Sequence, residues 1–237
     1  MAYEFLTQTT CRKLATGEEW LKQRNDSAII DVSLNAGQLA VNERAADKDF
    51  ITIVQQLDVY CRQLEGLFPF IEFTKNTEFH STLLAIFNQK QQDFAGHKVM
   101  LYQWCREIAH LFTQHNTIEL IFSNVVLTSN GSVVLTAISS ELESFRQMVY
   151  KKIPIDGCLH KNIIHLTLGR LSKNTSSENI KNFYDYISNN NLNTIFSSEI
   201  PSWKIEQPKF VISQGSLSSE IISNITHDFN QLWFDAY

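Results

Sequence analysis

Two short segments of one type constrain this chain more than any other feature of its sequence. Residues 80–83 (HSTL) and 165–168 (HLTL) each place a histidine two positions before a threonine, in a stretch with strand-like alternation. Because side chains i and i+2 of a strand point the same way, each segment presents an imidazole and a hydroxyl side by side. Two such units facing each other would supply a proton acceptor, a proton donor and two hydroxyl donors. We expect that set to suit cleavage of a phosphodiester without a metal ion.

The residues around both segments predict strands that bury one face. In the second strand, apolar residues at 164, 166 and 168 alternate with His165 and Thr167. In the first, Ser81 and apolar residues at 79, 83, 85 and 87 form the packing face, and His80 and Thr82 share the opposite one. Each strand is therefore expected to pack on helices with one face and to leave its histidine and threonine lining a cleft.

The order of elements predicts an internal duplication. Strands are predicted at 28–34, 79–87, 118–127, 132–138, 163–171 and 209–213, and helices at 47–67, 99–112, from about 140 to 152, 177–187 and 220–233. Asn130-Gly131 predicts a hairpin that joins the two copies. We expect a single domain over 1–237 with pseudo-repeat lobes at about 28–128 and 129–213, an N-terminal extension at 1–27 and a C-terminal helix within 214–237.

The bare motif is not specific, because a third match occurs at 115–118 (HNTI). This match lies where a helix is predicted to end and a strand to begin, and it puts an asparagine where a buried residue is needed. It is also too close to His80 to hold the elements of one repeat. We interpret His115 as a helix C-terminal histidine that the helix dipole favours. Strand context and repeat position therefore single out His80 and His165.

Composition limits the cellular setting and the partners. The 237-residue chain is 43% apolar with a formal net charge of −5, which argues against a broad basic surface that grips long nucleic acid. The four cysteines (Cys11, Cys61, Cys105 and Cys158) have no metal-ligand spacing and are expected to be reduced. No segment is typical of a signal peptide or a membrane span. We expect a cytoplasmic protein, a monomer with no membrane partner.

A family resemblance follows from these residues. The paired motifs, the run HLTLGRL at 165–171 and the segment SNVVLTSNGSVVLTAISSELESFRQMV at 123–149 resemble the 2H phosphoesterase superfamily, which includes the bacterial RNA 2′,3′-cyclic phosphodiesterases once called 2′-5′ RNA ligases. The resemblance covers about 28–213. It implies an α+β fold of two pseudo-symmetric βα lobes, with mainly antiparallel sheets around a central cleft.

The resemblance also implies roles for individual residues. His80 and His165 would be the catalytic histidines, and Thr82 and Thr167 would bind the phosphate oxygens, with no metal or cofactor. Arg170 is a further candidate phosphate ligand, but strand alternation turns it away from His165 unless Gly169 introduces a bulge. His160 and Lys161, just before the second motif, are expected to be solvated.

The leading hypothesis is a metal-independent phosphodiesterase whose substrate is a small nucleotide or an RNA end. Its scissile group would be a 2′,3′-cyclic phosphate, a 2′-5′ linkage, or a bond in a small cyclic or oligomeric nucleotide. The alternative is a non-catalytic nucleotide- or RNA-binding module with the same fold. A metal-dependent hydrolase is a third hypothesis, although no cluster of Asp or Glu residues accompanies the histidines at the spacing of metal ligands. The sequence leaves open which histidine is the acid.

Overall fold

The structure is a computed structural model that describes residues 38–44, 51–76, 79–88, 94–114, 118–128, 131–172, 175–190, 202–205, 209–213 and 219–224. Its nine strands are β1 (Gln38–Arg44), β2 (Ile71–Phe73), β3 (His80–Asn88), β4 (Ile118–Leu127), β5 (Ser132–Ile138), β6 (Ile164–Leu171), β7 (Ser202–Ile205), β8 (Lys209–Ser213) and β9 (Ser219–Asn224). Its helices are α1 (Ile51–Leu67), α2 (Phe94–Thr113), α3 (Ser140–Lys152) and α4 (Ser177–Asn189), with a short 3₁₀ turn at Gly157–Leu159.

All described strands join one sheet in which every pairing is antiparallel. The order across the sheet is β7-β4-β5-β6-β3-β1-β8-β9, and β2 pairs separately with β6. The predicted α+β class with mainly antiparallel pairing is therefore confirmed. The strands of both predicted lobes belong to this one continuous sheet.

The strand order is symmetric about the β3–β6 pair, which carries the two motifs. β1 lies outside β3 and β5 lies outside β6, while β8 and β4 take the next positions. In chain order, β1, α1, β3, α2 and β4 are followed by β5, α3, β6, α4 and β8. The third main strand of each series thus pairs with the first strand of the other. This exchange interlocks the two series and brings the motif strands together at the centre.

The helices bury regularly spaced apolar side chains against one face of the sheet. Helix α3 contributes Leu142, Phe145 and Val149, and α4 contributes Ile180, Phe183 and Ile187. The sheet contributes fully covered residues such as Leu83, Leu135, Leu166, Leu168 and Trp203 to the same core. Each fully buried side chain of this size stabilises the fold by about 1.5–3 kcal/mol.

Helix α3 has well-defined ends, which fixes the residues it holds against the motif strands. The Ser139 side chain caps the first turn by accepting a hydrogen bond of 3.2 Å from the backbone N–H of Leu142. Acidic residues occupy the first turn and Lys151 and Lys152 the last, as the helix dipole favours. Lys152 Nζ also lies 3.0 Å from a Glu107 carboxylate oxygen and so ties α3 to α2.

Several predicted elements have the expected bounds, but the predicted C-terminal helix is wrong where the structure describes it. Residues 118–127 and 132–138 form the predicted hairpin, with Gly131 at φ 78° in its turn. Ser219–Asn224, predicted as the start of a helix, is instead a strand that pairs with β8. Its consecutive isoleucines are β-branched, and β8 offers an edge for pairing. The predicted strand at 28–34 and the extension at 1–27 lie outside the described residues.

Within the described ranges, no helix combines the length and the apolar character that crossing a membrane requires.

Candidate active site

The two motif strands meet at a single point of register. Ser81 of β3 is the antiparallel partner of Leu166 of β6, and both residues are fully buried. The histidines and threonines on either side of them are half-buried. Residues directly opposite each other across a sheet point to the same face, and their neighbours point to the other. His80, Thr82, His165 and Thr167 therefore share one face of the sheet, which we call the site face.

The register also defines how the four side chains are arranged. Because the two strands run antiparallel through that pair, His80 lies on the same side of it as Thr167, and Thr82 lies on the same side as His165. The histidines then occupy one diagonal of a four-residue square and the threonines the other.

The electrostatic environment of His165 favours its neutral form. Burial lowers the pKa of His165 from 6.5 to about 4, and repulsion from Lys161, His80 and Arg146 acts in the same direction. The repulsion from His80 couples the titration of the two rings, so protonation of one disfavours protonation of the other. Nδ1 of His165 is buried and has no hydrogen-bond partner among the described residues. The pair is therefore suited to hold one neutral and one protonated ring.

Sequence reasoning missed Arg146, a buried cation behind the motif strands. Its side chain is only 3% exposed and donates from Nε to the Leu83 carbonyl at 2.7 Å. Nη2 donates to the carbonyls of Thr82 and Ile163, both at 3.3 Å. One guanidinium thus contacts the backbone of β3 and that of the residue immediately before β6. The signal that could have revealed it is its position on the buried stripe of α3, between Phe145 and Val149.

Lys161 is not solvated, contrary to the prediction. It is half-buried, and burial followed by repulsion from Arg146 lowers the pKa of its ammonium group. Its backbone N–H donates to the hydroxyl of Tyr150 at 3.1 Å. Tyr150 lies one helical turn after Arg146 on α3. His160 is exposed as predicted and stacks on the Tyr150 ring with 3.7 Å between centroids and an interplanar angle of 12°. Helix α3 therefore fixes the backbone that leads into the second motif.

A bulge in β6 brings Arg170 to the site face. On β5, Ser132, Val134 and Thr136 alternate along one face, and their partners on β6 are Arg170, Thr167 and His165. Leu168 is the extra residue between Thr167 and Gly169, so the alternation of β6 shifts by one position. Arg170 thereby shares a face with His165 and Thr167, and its side chain is exposed. The sequence allows a bulge at Gly169, and the structure has its extra residue one position earlier, at Leu168.

Gly169 is needed for the close approach of β2 to this bulge. A Cβ atom at residue 169 would lie 2.8 Å from the Glu72 carbonyl oxygen and 3.1 Å from the Phe73 Cα. Both of these are backbone atoms, which cannot move aside without shifting the strand. β2 pairs with β6 from Phe73–Gly169 to Ile71–Leu171. A glycine at this position therefore lets β2 continue the line of β3 along the same edge of β6.

The neighbouring strand β5 supplies a closed polar network and an apolar edge to the site face. Thr136, the partner of His165, donates to the Asn124 carbonyl at 3.0 Å and lies 2.8 Å from the Ser123 hydroxyl. Two residues along the same face, Ile138 is 49% exposed and pairs with Ile121 of β4, which is 42% exposed. An exposed apolar pair thus lies on the site face, next to the part of β6 that contains His165.

Other candidate ligands do not gather around the histidines. Among the described residues no group of three or more His, Cys, Asp or Glu side chains could hold a metal ion. Cys61 and Cys105 are free and buried, and burial raises the pKa of the Cys61 thiol to about 12. Both cysteines lie in the core, as predicted. His115 lies outside the described residues.

The fold is similar to two solved structures. The crystal structure of TT0787 of Thermus thermophilus has 12% sequence identity and a TM-score of 0.48, over 79% of this chain and 96% of that chain. The crystal structure of E. coli LigT complexed with 3′-AMP has 13% identity and a TM-score of 0.43, over 81% of this chain and 97% of that chain. No protein-family model and no curated protein matches the sequence.

The described side chains define what the site face can do chemically. A neutral imidazole can accept a proton, and a coupled second imidazole can donate one. Two hydroxyls and the exposed guanidinium of Arg170 can donate hydrogen bonds to an anion. Lys161 and Arg146 add positive charge near His165, in a chain whose net charge is −5. The local field therefore favours an anionic ligand.

Proposed function

We propose that this protein is a metal-independent phosphodiesterase that uses its two H-x-T motifs for acid–base cleavage. The observation that carries the proposal is the placement of His80, Thr82, His165 and Thr167 on one sheet face around the Ser81–Leu166 pair. The scissile group is a 2′,3′-cyclic phosphate, a 2′-5′ linkage, or a bond in a small cyclic or oligomeric nucleotide. The motif resemblance to 2H phosphoesterases supports the same reaction class.

The electrostatics assign different roles to the two histidines in this proposal. Since His165 is neutral at neutral pH, it removes a proton from the attacking water as the oxygen–phosphorus bond forms. His80 donates its proton to the ribose oxygen that leaves as the old phosphorus–oxygen bond breaks. Thr82 and Thr167 donate hydrogen bonds to the non-bridging oxygens, where negative charge increases. Arg170 binds the same phosphate from the bulge side.

The apolar edge of the site face supports a nucleoside as the remainder of the substrate. Ile138 lies two strand residues beyond Thr136, a spacing of about 7 Å along the strand. Thr136 is the cross-strand partner of His165, so the apolar pair lies on the site face beside that histidine. We propose that the base packs on Ile138 and Ile121, whose exposed side chains gain burial when it binds.

Hydrolysis of 2′,3′-cyclic nucleotides and 2′-5′ oligonucleotides by the purified protein, with and without EDTA, tests the proposal. We expect turnover that survives EDTA and is lost in both His80→Ala and His165→Ala, with substrate binding retained. Ser81→Ala is the matched control, because Ser81 lies between His80 and Thr82 but points into the core. Near-normal turnover in either histidine variant would show that the pair is assigned wrongly. Binding without turnover in the native protein would favour the non-catalytic nucleotide-binding alternative.

A further inference from the structure

The seam between the two motif strands is the shortest pairing among the central strands. β1 pairs with β3 along the whole of Gln38–Arg44, and β5 pairs with β6 from Ser132 to Ala137. In contrast, β3 and β6 have the single partner pair Ser81–Leu166. Backbone carbonyls just beyond that pair need other donors, because buried carbonyls are rarely left without one.

Arg146 supplies donors on one side of this seam. Its Nε binds the carbonyl of Leu83, and its Nη2 binds the carbonyls of Thr82 and Ile163. Thr82 and Leu83 follow Ser81 on β3, and Ile163 lies immediately before β6. The guanidinium is planar and presents its N–H groups in a fixed fork, so these bonds hold two backbones at a defined separation. An ammonium group on a flexible stem cannot impose the same geometry.

We propose that Arg146 is a positioning residue that sets the separation of the two motif strands, and with it the separation of His80 and His165. Its catalytic consequence rests on the proposed phosphodiesterase function, whereas its effect on the spacing of the rings does not. Arg146 binds the backbone of Thr82 from the core, while the Thr82 side chain lies on the site face. It therefore acts on the site through the strands and without contact with the substrate.

A second contact of the same helix supports this role. Tyr150 lies one turn after Arg146 on α3, and its hydroxyl binds the backbone N–H of Lys161, two residues before Ile163. The segment that leads into β6 is thus hydrogen-bonded to α3 at two residues, Lys161 and Ile163. The Ser139 cap holds the first turn of that helix, and Lys152 in its last turn forms a surface ion pair with Glu107 of α2. The strand spacing is therefore set by a helix that is itself anchored.

The experiment compares Arg146→Lys, Arg146→Met and the control Lys151→Met, an exposed change on the same helix. Arg146→Lys keeps the positive charge and loses the fork. We expect its kcat for a 2′,3′-cyclic nucleotide to fall about 10- to 100-fold with KM within about twofold, because small misplacements of reacting groups are costly. Arg146→Met should lose at least as much kcat, and Lys151→Met should leave both constants unchanged. Circular dichroism checks that each variant is folded, and Arg146→Lys alone decides the question if Arg146→Met does not fold.

A second measurement is independent of turnover. The coupling between the two rings is the difference between the NMR-determined pKa of His165 with His80 present and with His80→Gln. Wider strand separation weakens this coupling, so we expect a smaller difference in the Arg146→Lys background than in the native background. This result supports the proposal even if the native protein hydrolyses none of the nucleotides. A folded Arg146→Lys variant with native coupling overturns it, whether or not its kcat has changed.

Discussion

Ser81 and Leu166 face each other as antiparallel partners, each with a fully buried side chain, on strands that come from opposite halves of the chain. This pairing accounts for the middle position of each motif. Ser81 and Leu166 are different residue types, but each lies between a histidine and a threonine. Both must point into the core so that their neighbours can point out. The H-x-T spacing is therefore a requirement of strand geometry as well as of chemistry.

The lowered pKa of His165 predicts an unusual acidic limb in the pH–rate profile. A general base must be neutral, and His165 stays neutral until the pH falls to about 4. We expect kcat/KM to keep its plateau well below the ordinary histidine pKa of about 6.5. In Lys161→Met the loss of a nearby cation should move the limb to higher pH. An acidic limb near 6.5 in the native protein would contradict the role given to His165.

The same shift predicts that stability decreases in mild acid. His165 has a pKa of about 4 when folded and about 6.5 when unfolded, so the unfolded chain binds more protons between these values. The free energy of unfolding therefore falls as pH drops through 6.5, and this loss is complete near pH 4. Since the ring is half-buried, we expect this loss to be on the order of 2–3 kcal/mol.

Urea unfolding of the native protein and of His165→Gln across this pH range isolates the contribution of His165. The variant lacks the titrating ring, so its unfolding free energy should depend less steeply on pH. Equal pH dependence of the two proteins would mean that His165 titrates normally in the folded state.

Gly169→Ala tests the bulge that brings Arg170 to the site face. The new Cβ would meet the Glu72 carbonyl oxygen and the Phe73 Cα, so β2 or β6 must shift. We expect thermal or urea unfolding to show a destabilisation of about 1–3 kcal/mol and weaker phosphate binding. Gly66→Ala is the matched control, because a Cβ there has no atom within 4 Å and alanine suits a helix better. A Gly169→Ala protein as stable as the native one would exclude close packing at this position.

Ile138→Asp tests the proposed position of the base. A carboxylate on the exposed apolar pair should disfavour an aromatic base and raise KM about tenfold, while kcat changes little because the reacting groups are untouched. The matched control is Val99→Asp, at an exposed apolar residue of α2, which should leave KM unchanged. Steady-state kinetics on one nucleotide substrate separates these effects. A fall in kcat at constant KM would instead place Ile138 close to the reacting atoms.

Strong local patterns explain which parts of the fold could be predicted. The long alternation of β4 and β5, the turn at Gly131 and the capped helix α3 depend on neighbours in sequence, and their bounds agree with the prediction. β2 and β7 are too short to show an alternation. The prediction of a helix at Ser219–Asn224 was wrong because the conformation of this segment depends on its pairing with β8, which is a tertiary contact.

The site shows the same division between local and tertiary information. The motif strands and the faces of His80 and His165 follow from alternation alone. Arg146 does not, because its role depends on carbonyls 63 and 17 residues away in the chain. The position of Arg170 depended on one extra residue, Leu168, that only the partner strand β5 reveals.

The pairing of β1 with β8 has a consequence for synthesis of the protein. β1 is translated before any other described strand, whereas β8 is completed only when almost all of the described chain has been made. Until then, a nascent chain on the ribosome carries the outer edge of β1 without its native neighbour. Open strand edges recruit other chains. The interlocked sheet thus makes β8, one of the last described strands to be synthesised, the segment that covers the open edge of β1.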